Sequence, residues 1–487
     1  MSRLLNTIKC YKHISYLPFL LLLSLLFYRT STSVVDLDIW HEMATAKVLL
    51  ESNFTILNDV FSYTPTLDPT VHHEWLNGLI ALQFYNSIGL SSFVLIKYFL
   101  MLNFAAICFI LIKKTTSSPA HIFTILLLIL LLSDWGFGAF RAQMFTFILI
   151  GLTLYGLLRY AESSSKFILI LALTFPLWIN IHGGAILSII LIGAYSIEEL
   201  ARKKIPYILI LSALIMTALI SINPWGLSFY IYLKNSLFME RPLISEWHPI
   251  WKTSEDYKLF IFIFFIVFFL AYWKKIDWKK NRGFACILLM MIMSIKSARF
   301  LPFFALTIAA FFPYYLKEVE FGSLLNRIWD KLNQNKLAVP LVFGVSILLT
   351  VLAFGQKPFT AKVPSEKIEH YPLIYPVGAT KFLKDTNFRG NILTSFNTGS
   401  YVLWNLYPNS KVFIDSRYEV AYPETRMQES DKFYNKYEGW EKILNTYPHT
   451  VVLVAKTDKV YSELSNLDYL NLIFSDSIYS IFEIKPH

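Results

Sequence analysis

Apolar segments separated by short polar ones recur along the first 354 residues of the chain. Most are near or slightly below the roughly 20 residues that a helix needs to cross a lipid bilayer. They predict eleven or so membrane spans, near residues 14–28, 92–112, 119–133, 143–160, 166–180, 183–197, 205–221, 257–273, 284–296, 300–316 and 338–354. One further apolar segment, 75–90, is short and contains Asn77, Gln83 and Asn86, so we predict a surface or re-entrant helix there.

The pattern changes after residue 354, where short β-rich runs alternate with helical ones. This alternation predicts an α/β domain. Its helices are predicted at 377–386, 399–407, 430–446 and 457–466, and its strands at 391–396, 411–415, 450–455, 470–475 and 478–484. The predicted fold is therefore a polytopic α-helical membrane domain over 1–354, with a loop at 31–91, followed by an α/β domain over 355–487.

The composition agrees with a membrane protein. Of the 487 residues, 55% are hydrophobic and 16% are charged, and the mean hydropathy is +0.48. Such a chain is too apolar for a soluble protein. The net charge of +10 does not indicate nucleic-acid binding, because Lys and Arg gather in loops between predicted spans. The three cysteines show neither a disulfide framework nor the spacing of metal ligands.

The basic loops also predict the orientation of the chain. Basic residues precede the first apolar run and no convincing cleavage site follows it, so we predict an uncleaved span with the N-terminus in the cytoplasm. If 75–90 does not cross, the later basic clusters also face the cytoplasm; these are Lys113/Lys114, Arg159/Lys166, Arg202/Lys203/Lys204, the run 274–282 and Lys317/Arg327/Lys331/Lys336. If it crosses, all of them face outward, against the positive-inside rule. The first alternative puts the loop 31–91 and the α/β domain outside.

The loop after the first span carries a cluster of ionisable residues, namely Asp36, Asp38, His41 and Glu42. Such groups beside a membrane are costly and often belong to a functional site. If the residues after Asp38 form a short helix, Asp38, His41 and Glu42 share one face by their i, i+3, i+4 spacing. The alternative is an ordinary acidic loop in which Asp36 caps a helix.

Further polar segments lie at the predicted outer ends of spans. They are 134–143 with Arg141 and Gln143, 180–184 with His182, Asn223-Pro224-Trp225-Gly226, Glu246-Trp247-His248, and 296–300 with Lys296 and Arg299. Asn-Pro-Trp-Gly favours a turn, and His182 is either a residue that caps a glycine turn or a ligand-binding group. Arg141 and Arg299 are cations on the side that the positive-inside rule disfavours. They predict an anion site for a group such as a lipid phosphate, with snorkelling to the interface as the alternative.

Two features of the α/β domain invite a functional interpretation. The segment 413–419 ends a strand with three charges, which predicts either a ligand site or an Asp415–Arg417 pair that organises the loop. Gly399 opens a predicted helix after a strand, but no G-x-G-x-x-G is present, so no nucleotide site is predicted.

Several short motifs carry a resemblance that covers nearly the whole chain. They are Asp36-x-Asp38-x-Trp40-His41, Phe61-Ser62-Tyr63-Thr64, His73-Glu74-Trp75-Leu76, Phe140-Arg141-x-Gln143, Asn180-x-His182-Gly183-Gly184, Asn223-Pro224-Trp225-Gly226, Gly399-Ser400-Tyr401 and Val412-Phe413-Ile414-Asp415-Ser416-Arg417. With a first span, an acidic loop and a surface helix in that order, the chain resembles the GT-C superfamily of integral-membrane glycosyltransferases. That superfamily includes the protein O-mannosyltransferases and the lipid A aminoarabinose transferase. The motifs are most similar to those of uncharacterised bacterial multi-span membrane proteins of GT-C-like type.

The resemblance implies an enzyme of the bacterial cytoplasmic membrane. Such an enzyme moves a sugar from a polyprenyl-phosphate-linked donor to a glycan, lipid or protein acceptor on the outer side. By position, the general base would be Asp36 or Asp38, with Asp36 favoured because it is nearer the span. Arg141, Lys296 and Arg299 would stabilise the departing lipid phosphate. The other candidates for substrate contacts are His41, Glu42, His73, Glu74, Gln143 and His182.

The resemblance fixes no cofactor. The Asp36-x-Asp38 spacing could instead hold a divalent metal, as in the oligosaccharyltransferase branch. Few further oxygen ligands are evident nearby, although magnesium usually keeps several waters, and no metal ligand is assigned.

Two other classes of function remain open on the sequence. A transporter or flippase of an envelope lipid or glycan would place its charges in mid-span, often in broken helices with internal symmetry. Here the charges lie at the ends of spans and no repeat is evident. A non-enzymatic envelope scaffold would keep the membrane domain without its chemistry.

Overall fold

A computed structural model of the protein describes residues 17–55, 58–133, 136–239, 241, 244–253, 256–335, 337–366 and 373–485. Asp134 and Trp135, at the start of the predicted outer segment 134–143, lie outside these residues, as does the beginning of the first predicted span.

Helices make up most of the described chain before residue 356. They are α1 (Leu17–Arg29), α2 (Asp38–Glu51), α3 (Trp75–Ile88), α4 (Ser91–Thr115), α5 (Pro119–Ser133), α6 (Gln143–Ser163), α7 (Phe167–Leu173), α8 (Phe175–Ile181), α9 (Ile186–Ala201), α10 (Tyr207–Leu219), α11 (Ser228–Phe238), α12 (Asp256–Tyr272), α13 (Phe284–Lys296), α14 (Leu301–Glu318), α15 (Glu320–Gln334) and α16 (Ala338–Gly355). Short 3₁₀ turns cover Gly183–Ala185, Ser245–Trp247, Ile250–Lys252 and Ala298–Phe300.

The apolar helices are those of a multi-pass membrane protein. In the described part of the chain, five helical segments are long and apolar enough to cross a bilayer: Ser91–Thr115, Gln143–Ser163, Gly183–Ala201, Ala298–Glu318 and Ala338–Gly355. Shorter apolar helices are Pro18–Arg29, Pro119–Ser133, Tyr207–Leu219, Tyr257–Tyr272 and Phe284–Lys296. Among the described residues, each predicted span is mainly helical, and the helix predicted at 75–90 is α3. The number and direction of the crossings stay predictions.

One predicted span, 166–180, is not a continuous helix. It is divided into α7 and α8, and Pro176 lies in the first turn of α8. Proline has no N–H to donate and its ring clashes with the preceding turn, so α7 cannot continue through it. The segment predicted as one span therefore consists of two short helices.

The chain divides into two compact units. Unit 1 comprises Met1–Ser33, Val94–Ile220 and Glu240–Thr360, and unit 2 comprises Val34–Phe93, Ser221–Met239 and Ala361–His487. Within unit 1, α14 is the most enclosed helix, with every residue from Leu301 to Pro313 buried. A helix that is apolar all round and buried belongs to the centre of a helical bundle. By contrast α16 exposes large apolar side chains, including Leu341, Leu348 and Phe354, as a lipid-facing helix does.

A five-stranded mixed sheet organises unit 2. Its strands are β1 (Gly390–Leu393), β2 (Ser410–Val412), β3 (Val451–Ala455), β4 (Leu470–Ser475) and β5 (Tyr479–Ile484), in the order β2-β1-β3-β5-β4. Strand β1 is parallel to β2 and β3, whereas β5 is antiparallel to β3 and β4. The helices beside the sheet are α17 (Val377–Asp385), α18 (Phe396–Leu406), α19 (Tyr418–Ala421), α20 (Glu424–Tyr434), α21 (Lys442–Thr446) and α22 (Tyr461–Leu464). The predicted mixture of strands and helices after residue 355 is confirmed.

The helix predicted at 430–446 is two helices instead, α20 and α21. Between them Lys436 has a φ of 55° and Gly439 a φ of 76°. Residues with this left-handed backbone end an α-helix. Gly439 is the local sequence signal for this break.

The loop 34–93 belongs to the same core as the sheet. Phe61 packs with Ile392 and Leu403 in one buried apolar cluster. The backbone N–H of Val412 in β2 donates to the Phe61 carbonyl at 3.0 Å, and the N–H of Tyr63 donates to the Val412 carbonyl at 3.3 Å. The Phe-Ser-Tyr-Thr motif therefore runs along the edge strand β2 and covers it.

Candidate active site

The backbone directly before Asp36 is held on both sides within unit 2. The N–H of Val35 donates to the Lys362 carbonyl at 2.9 Å, and the Tyr375 hydroxyl donates to the Val35 carbonyl at 2.8 Å. These hydrogen bonds hold the two peptide groups on either side of the Val35 Cα atom. The position of Asp36 is thus determined by residues far along the chain.

The start of α2 is anchored by aromatic packing. Trp40 is 3% exposed, and its ring meets that of Tyr401 edge-on at a centroid distance of 5.2 Å. It also packs edge-on against Tyr375 at 6.2 Å. Edge-to-face pairs of this kind add stability beyond the area that they bury. The Asp-x-Asp-x-Trp-His and Gly-Ser-Tyr motifs are therefore parts of one contact.

Asp36 and Asp38 stand at the N-terminal end of α2. The backbone N–H of Asp38 donates to Asp36 Oδ1 at 3.1 Å, but the N-cap residue of α2 is Leu37 and no side chain caps this helix. Both residues are half-buried, and the Asp38 side chain is 25% exposed. A helix N-terminus stabilises negative charge. Both carboxylates therefore lie at a helix N-terminus and remain accessible to a substrate.

The face expected for α2 is present in part. His41 Nε2 lies 3.8 Å from Asp38 Oδ1, as the i, i+3 spacing requires. His41 itself is only 7% exposed. It lies with Glu42, His73 and Glu74 around a small cavity of about 10 Å³, which His72 and Thr45 also line. Four of the predicted contact residues, from two separate motifs, thus meet in one place; a cavity of this size holds roughly one water molecule.

His73 is fixed in orientation. Its Nδ1 and the Tyr232 hydroxyl are 2.9 Å apart, and the two rings are stacked at a centroid distance of 5.0 Å. Its Nε2 lies 3.4 Å from Glu74 Oε1. With contacts at both ring nitrogens, His73 presents a defined polar edge to its surroundings.

The Asn-Pro-Trp-Gly motif is a turn, as predicted. Asn223 Oδ1 accepts the N–H of Trp225 at 2.7 Å, and Gly226 has a φ of 54°, a conformation that glycine tolerates best. The turn carries Trp225 to His72, with the two ring centroids 5.8 Å apart. The motif therefore packs against His72, which is distant in the sequence but belongs to the same unit.

Glu42 is buried inside unit 2. It is 4% exposed, and the Asn77 side-chain amide donates to its carboxyl group. Burial raises the pKa of the Glu42 carboxyl well above its usual value, and the neighbouring charge of Glu74 raises it further; the Asn77 hydrogen bond acts in the opposite direction. Glu42 is thus a buried acid whose neutral form is favoured by burial, and its hydrogen bond with Asn77 joins α2 to α3.

Replacing Glu42 with Gln should change how stability depends on pH. A raised folded-state pKa means that wild-type stability is complete below the unfolded pKa, about 4.5, and is lost as pH rises toward the folded pKa. The glutamine side chain does not ionise in this range. The melting temperature of Glu42→Gln minus that of wild type should therefore increase as pH rises above that value. Thermal unfolding of both proteins in detergent between pH 4 and 8, values roughly bracketing this range, measures the difference. A constant difference across the range would show that the folded-state pKa is not raised.

In unit 1, two predicted cations meet on one carboxylate. Arg141 Nη1 lies 3.1 Å from Glu246 Oε2, and Arg299 Nη1 lies 2.5 Å from Glu246 Oε1. The side chains of Arg141, Arg299 and Glu246 are 26%, 22% and 17% exposed, respectively. Arg141 and Arg299 thus converge on Glu246, a shared partner that was not predicted, and the anion site proposed for them stays a prediction.

The aromatic ring next to Glu246 also binds arginine. The Arg299 guanidinium lies 5.1 Å from the centre of the Trp247 ring, and that of Arg241 lies 4.1 Å from it. Guanidinium groups over an indole face gain cation–π stabilisation. Glu246 and Trp247 thus both contact arginine side chains. We call Arg141 and Arg299, which share Glu246, the arginine pair.

His182 lies in the same unit and acts locally. Its Nδ1 accepts the N–H of Gly184 at 3.1 Å and lies 2.8 Å from the Thr146 hydroxyl. A Cβ at Gly184 would come within 2.5 Å of the imidazole ring. Gly184 is therefore needed for the close approach of this ring, and His182 caps the turn, as one of its two predicted readings has it.

The other two predicted residues of unit 1 lie at helix ends. Gln143 is buried at the start of α6. Lys296 is exposed at the C-terminal end of α13. Their proposed roles in substrate binding stay predictions.

The charged loop after β2 is a buried ion cluster. Arg417 Nη2 lies 2.7 Å from Asp415 Oδ2, and its guanidinium also pairs with Asp59. Burial by itself would raise the pKa of Asp415, but the Arg417 guanidinium outweighs it and holds that pKa below the usual value. The predicted Asp415–Arg417 pair that organises the loop is confirmed. Its contact with Asp59 in the loop 34–93 was not anticipated.

Within the described ranges, no group of three or more His, Cys, Asp and Glu side chains is arranged to hold a metal ion. The alternative in which Asp36 and Asp38 hold a divalent metal stays a prediction.

The fold is similar to that of solved GT-C integral-membrane glycosyltransferases. The archaeal oligosaccharyltransferase AglB from Archaeoglobus fulgidus, solved in complex with an inhibitory peptide and a dolichol-phosphate, aligns with 90% of this chain and 69% of its own, with a TM-score of 0.54 and 10% sequence identity. ArnT from Cupriavidus metallidurans, bound to undecaprenyl phosphate, aligns over 98% of both chains with a TM-score of 0.49 and 10% identity. Its apo structure aligns over 99% of this chain and 98% of its own, with the same score and identity.

No protein-family model and no curated protein matches the chain. The predicted resemblance to GT-C proteins is confirmed at the level of the fold. At such low identity the roles of individual residues rest on their own geometry.

Proposed function

We propose that the protein is a glycosyltransferase of the bacterial cytoplasmic membrane, with its N-terminus in the cytoplasm and its α/β domain outside. It moves a sugar from a polyprenyl-phosphate-linked donor to a hydroxyl of a glycan, lipid or protein acceptor on the outer side. The observation that carries the proposal is the pair of half-buried carboxylates, Asp36 and Asp38, directly after the first apolar helix of a GT-C fold. The dolichol-phosphate in the AglB complex is a polyprenyl phosphate, which supports a carrier of that chemical class.

The reaction needs a base near the acceptor hydroxyl. The acceptor oxygen attacks the anomeric carbon and forms the new C–O bond, while its proton passes to the carboxylate of Asp36 or Asp38. The bond from the anomeric carbon to the phosphate oxygen breaks, and its electron pair leaves with the polyprenyl phosphate. The hydrogen bonds on Val35 support this assignment because they hold the backbone that carries Asp36.

The departing phosphate needs cations. Arg141 and Arg299 are proposed to stabilise its negative charge, because both are half-buried and already converge on an anion. Lys296 remains a third candidate. His41, Glu42, His73, Glu74, Gln143 and His182 are proposed to contact the substrates or to support residues that do.

A direct test uses the full-length protein in proteoliposomes loaded with polyprenyl-phosphate-linked sugars. The expected result is release of free polyprenyl phosphate that depends on the protein and on an added envelope acceptor fraction. Movement of labelled lipid between leaflets without such release would indicate a flippase instead. Neither release nor movement with a panel of donors would favour the scaffold.

Arg299→Lys should weaken donor use although it keeps the positive charge. Lysine can neither form a planar two-pronged contact with phosphate nor lie flat over Trp247, so we expect the donor concentration for half-maximal rate to rise about tenfold. Membranes carrying wild type, Arg299→Lys or Arg299→Ala are compared over a range of donor concentrations. Arg327→Lys, an exposed change on α15, is the matched control. If Lys behaves like wild type and Ala is only mildly impaired, Arg299 snorkels and does not bind the phosphate.

A further inference from the structure

Glu246 occupies the position that an incoming anion would need. One of its carboxylate oxygens contacts Arg141 and the other contacts Arg299. A phosphate group binds guanidinium in the same way, with separate oxygens accepting from separate N–H donors. The two arginines therefore cannot give a phosphate their full set of contacts while Glu246 keeps its own.

The backbone around Glu246 is tied to the segment that carries Arg299. The Ser297 hydroxyl donates to the Glu246 carbonyl at 3.2 Å, and the N–H of Ala298 donates to the His248 carbonyl at 3.0 Å. Trp247 adds its ring contact with Arg299. The main chain at Glu246 is thus fixed, whereas its carboxylate sits at the end of a side chain with rotatable bonds. The carboxylate can leave the arginines by rotation about these bonds, and no segment of backbone has to move.

The pair is also open enough to exchange partners. All three side chains keep 17 to 26% of their surface exposed. An ion pair with this partial exposure can be reached by another anion from the solvent. A phosphate with two or more negative oxygens can therefore displace the carboxylate.

We propose that Glu246 competes with the carrier phosphate for Arg141 and Arg299. Its carboxylate binds both arginines when no carrier phosphate is present, and it thereby lowers their affinity for the phosphate. The proposal rests on the proposed transferase function and identifies what limits the affinity of its phosphate site. The donor is a phosphodiester with a single negative charge, whereas the product is a phosphomonoester that carries a charge of about −1.5 to −2 at pH 7. Without competition from Glu246, the two arginines would bind the product more tightly than the donor and slow its release. A carboxylate that returns to the arginines favours dissociation of the product.

The test measures binding without any transfer reaction. Full-length wild type, Glu246→Gln and Glu246→Asp are purified in detergent and titrated with farnesyl phosphate, a short polyprenyl phosphate, and with farnesol, which has the same chain without the phosphate. Glutamine keeps the size of the side chain and removes its charge. We expect Glu246→Gln to bind farnesyl phosphate about tenfold more tightly than wild type, and Glu246→Asp to stay within about twofold of wild type. Farnesol binding should be equal in all three.

Glu320→Gln is the matched control, because Glu320 pairs with Lys275 in an exposed ion pair elsewhere in unit 1. It should leave farnesyl phosphate binding unchanged.

Weaker or equal binding by Glu246→Gln, with farnesol binding intact, would show that Glu246 braces the arginines and would overturn the proposal while the transferase assignment stands. If wild type and Glu246→Gln both bind farnesyl phosphate no better than farnesol, the arginine pair is not a phosphate site. That result overturns the competitor proposal together with the roles given to Arg141 and Arg299. Failure of the proteoliposome assay alone would instead count against the transferase.

Discussion

Turnover should fall by a factor of about 10²–10⁴ when the catalytic aspartate is replaced with asparagine, which is the range that general base catalysis supplies. Asparagine cannot take the proton of the acceptor hydroxyl. It keeps the size of aspartate and a carbonyl oxygen, so in Asp36→Asn the N–H of Asp38 still finds an acceptor at the start of α2. Insertion and purification should therefore be normal, and the loss should appear in the rate.

The comparison of Asp36→Asn, Asp38→Asn and the double variant identifies the base. If one residue acts alone, its single variant and the double variant should be equally inactive, because removing a second member of a disabled unit costs little more. Glu51→Gln, an exposed change at the end of the same helix, is the control for nonspecific effects. Wild-type activity in all three aspartate variants would refute the assignment of a base to this loop.

Replacing Arg417 with Met should be the most damaging change to stability. Arg417 and Asp415 are completely buried and Asp59 is 1% exposed. Tyr422 completes the cluster with a hydrogen bond to Asp415 Oδ2 at 2.8 Å. Methionine leaves two buried carboxylates without their cation, and breaking a buried pair in this way costs about 3–5 kcal/mol.

The free energy of unfolding lost by Arg417→Met should appear as a lower melting temperature in detergent, by about 6–20 °C for a unit of this size. Arg389→Met changes an exposed arginine of the same unit and should melt like wild type. Equal melting of Arg417→Met and wild type would mean that the buried cluster is not needed for the fold of unit 2.

Local patterns predicted most of the secondary structure. The β-rich runs after residue 355 and the apolar segments before it coincide with strands and helices, because both signals depend on neighbours within a few residues. The same holds for the Asp415–Arg417 pair, whose members are two residues apart. Pro176 is a local signal too, and its break in the predicted span 166–180 could have been expected.

Contacts between distant parts of the chain could not be predicted in this way. Glu246 was recognised as part of a polar segment, but nothing in a single sequence links it to Arg141 and Arg299, which are 105 and 53 residues away. The Phe-Ser-Tyr-Thr motif was noted, yet its place beside β2 follows only from the tertiary structure. His72 and Asn77 were missed as neighbours of His41 and Glu42 for the same reason. A residue pattern identifies candidate groups, whereas their partners depend on how the chain folds.

The position of the Phe-Ser-Tyr-Thr segment along β2 has a consequence for the order in which the protein is made. Ser62 and Val412 are 350 residues apart, so the ribosome must synthesise all the intervening apolar helices before the segment can meet its strand. Until then Phe61 lacks its apolar neighbours and Asp59 lacks its cation. Long-range contacts of this kind form slowly, and the waiting surface is prone to aggregation. A chaperone that shelters the first loop during synthesis would therefore be needed most for nascent chains that end before β2.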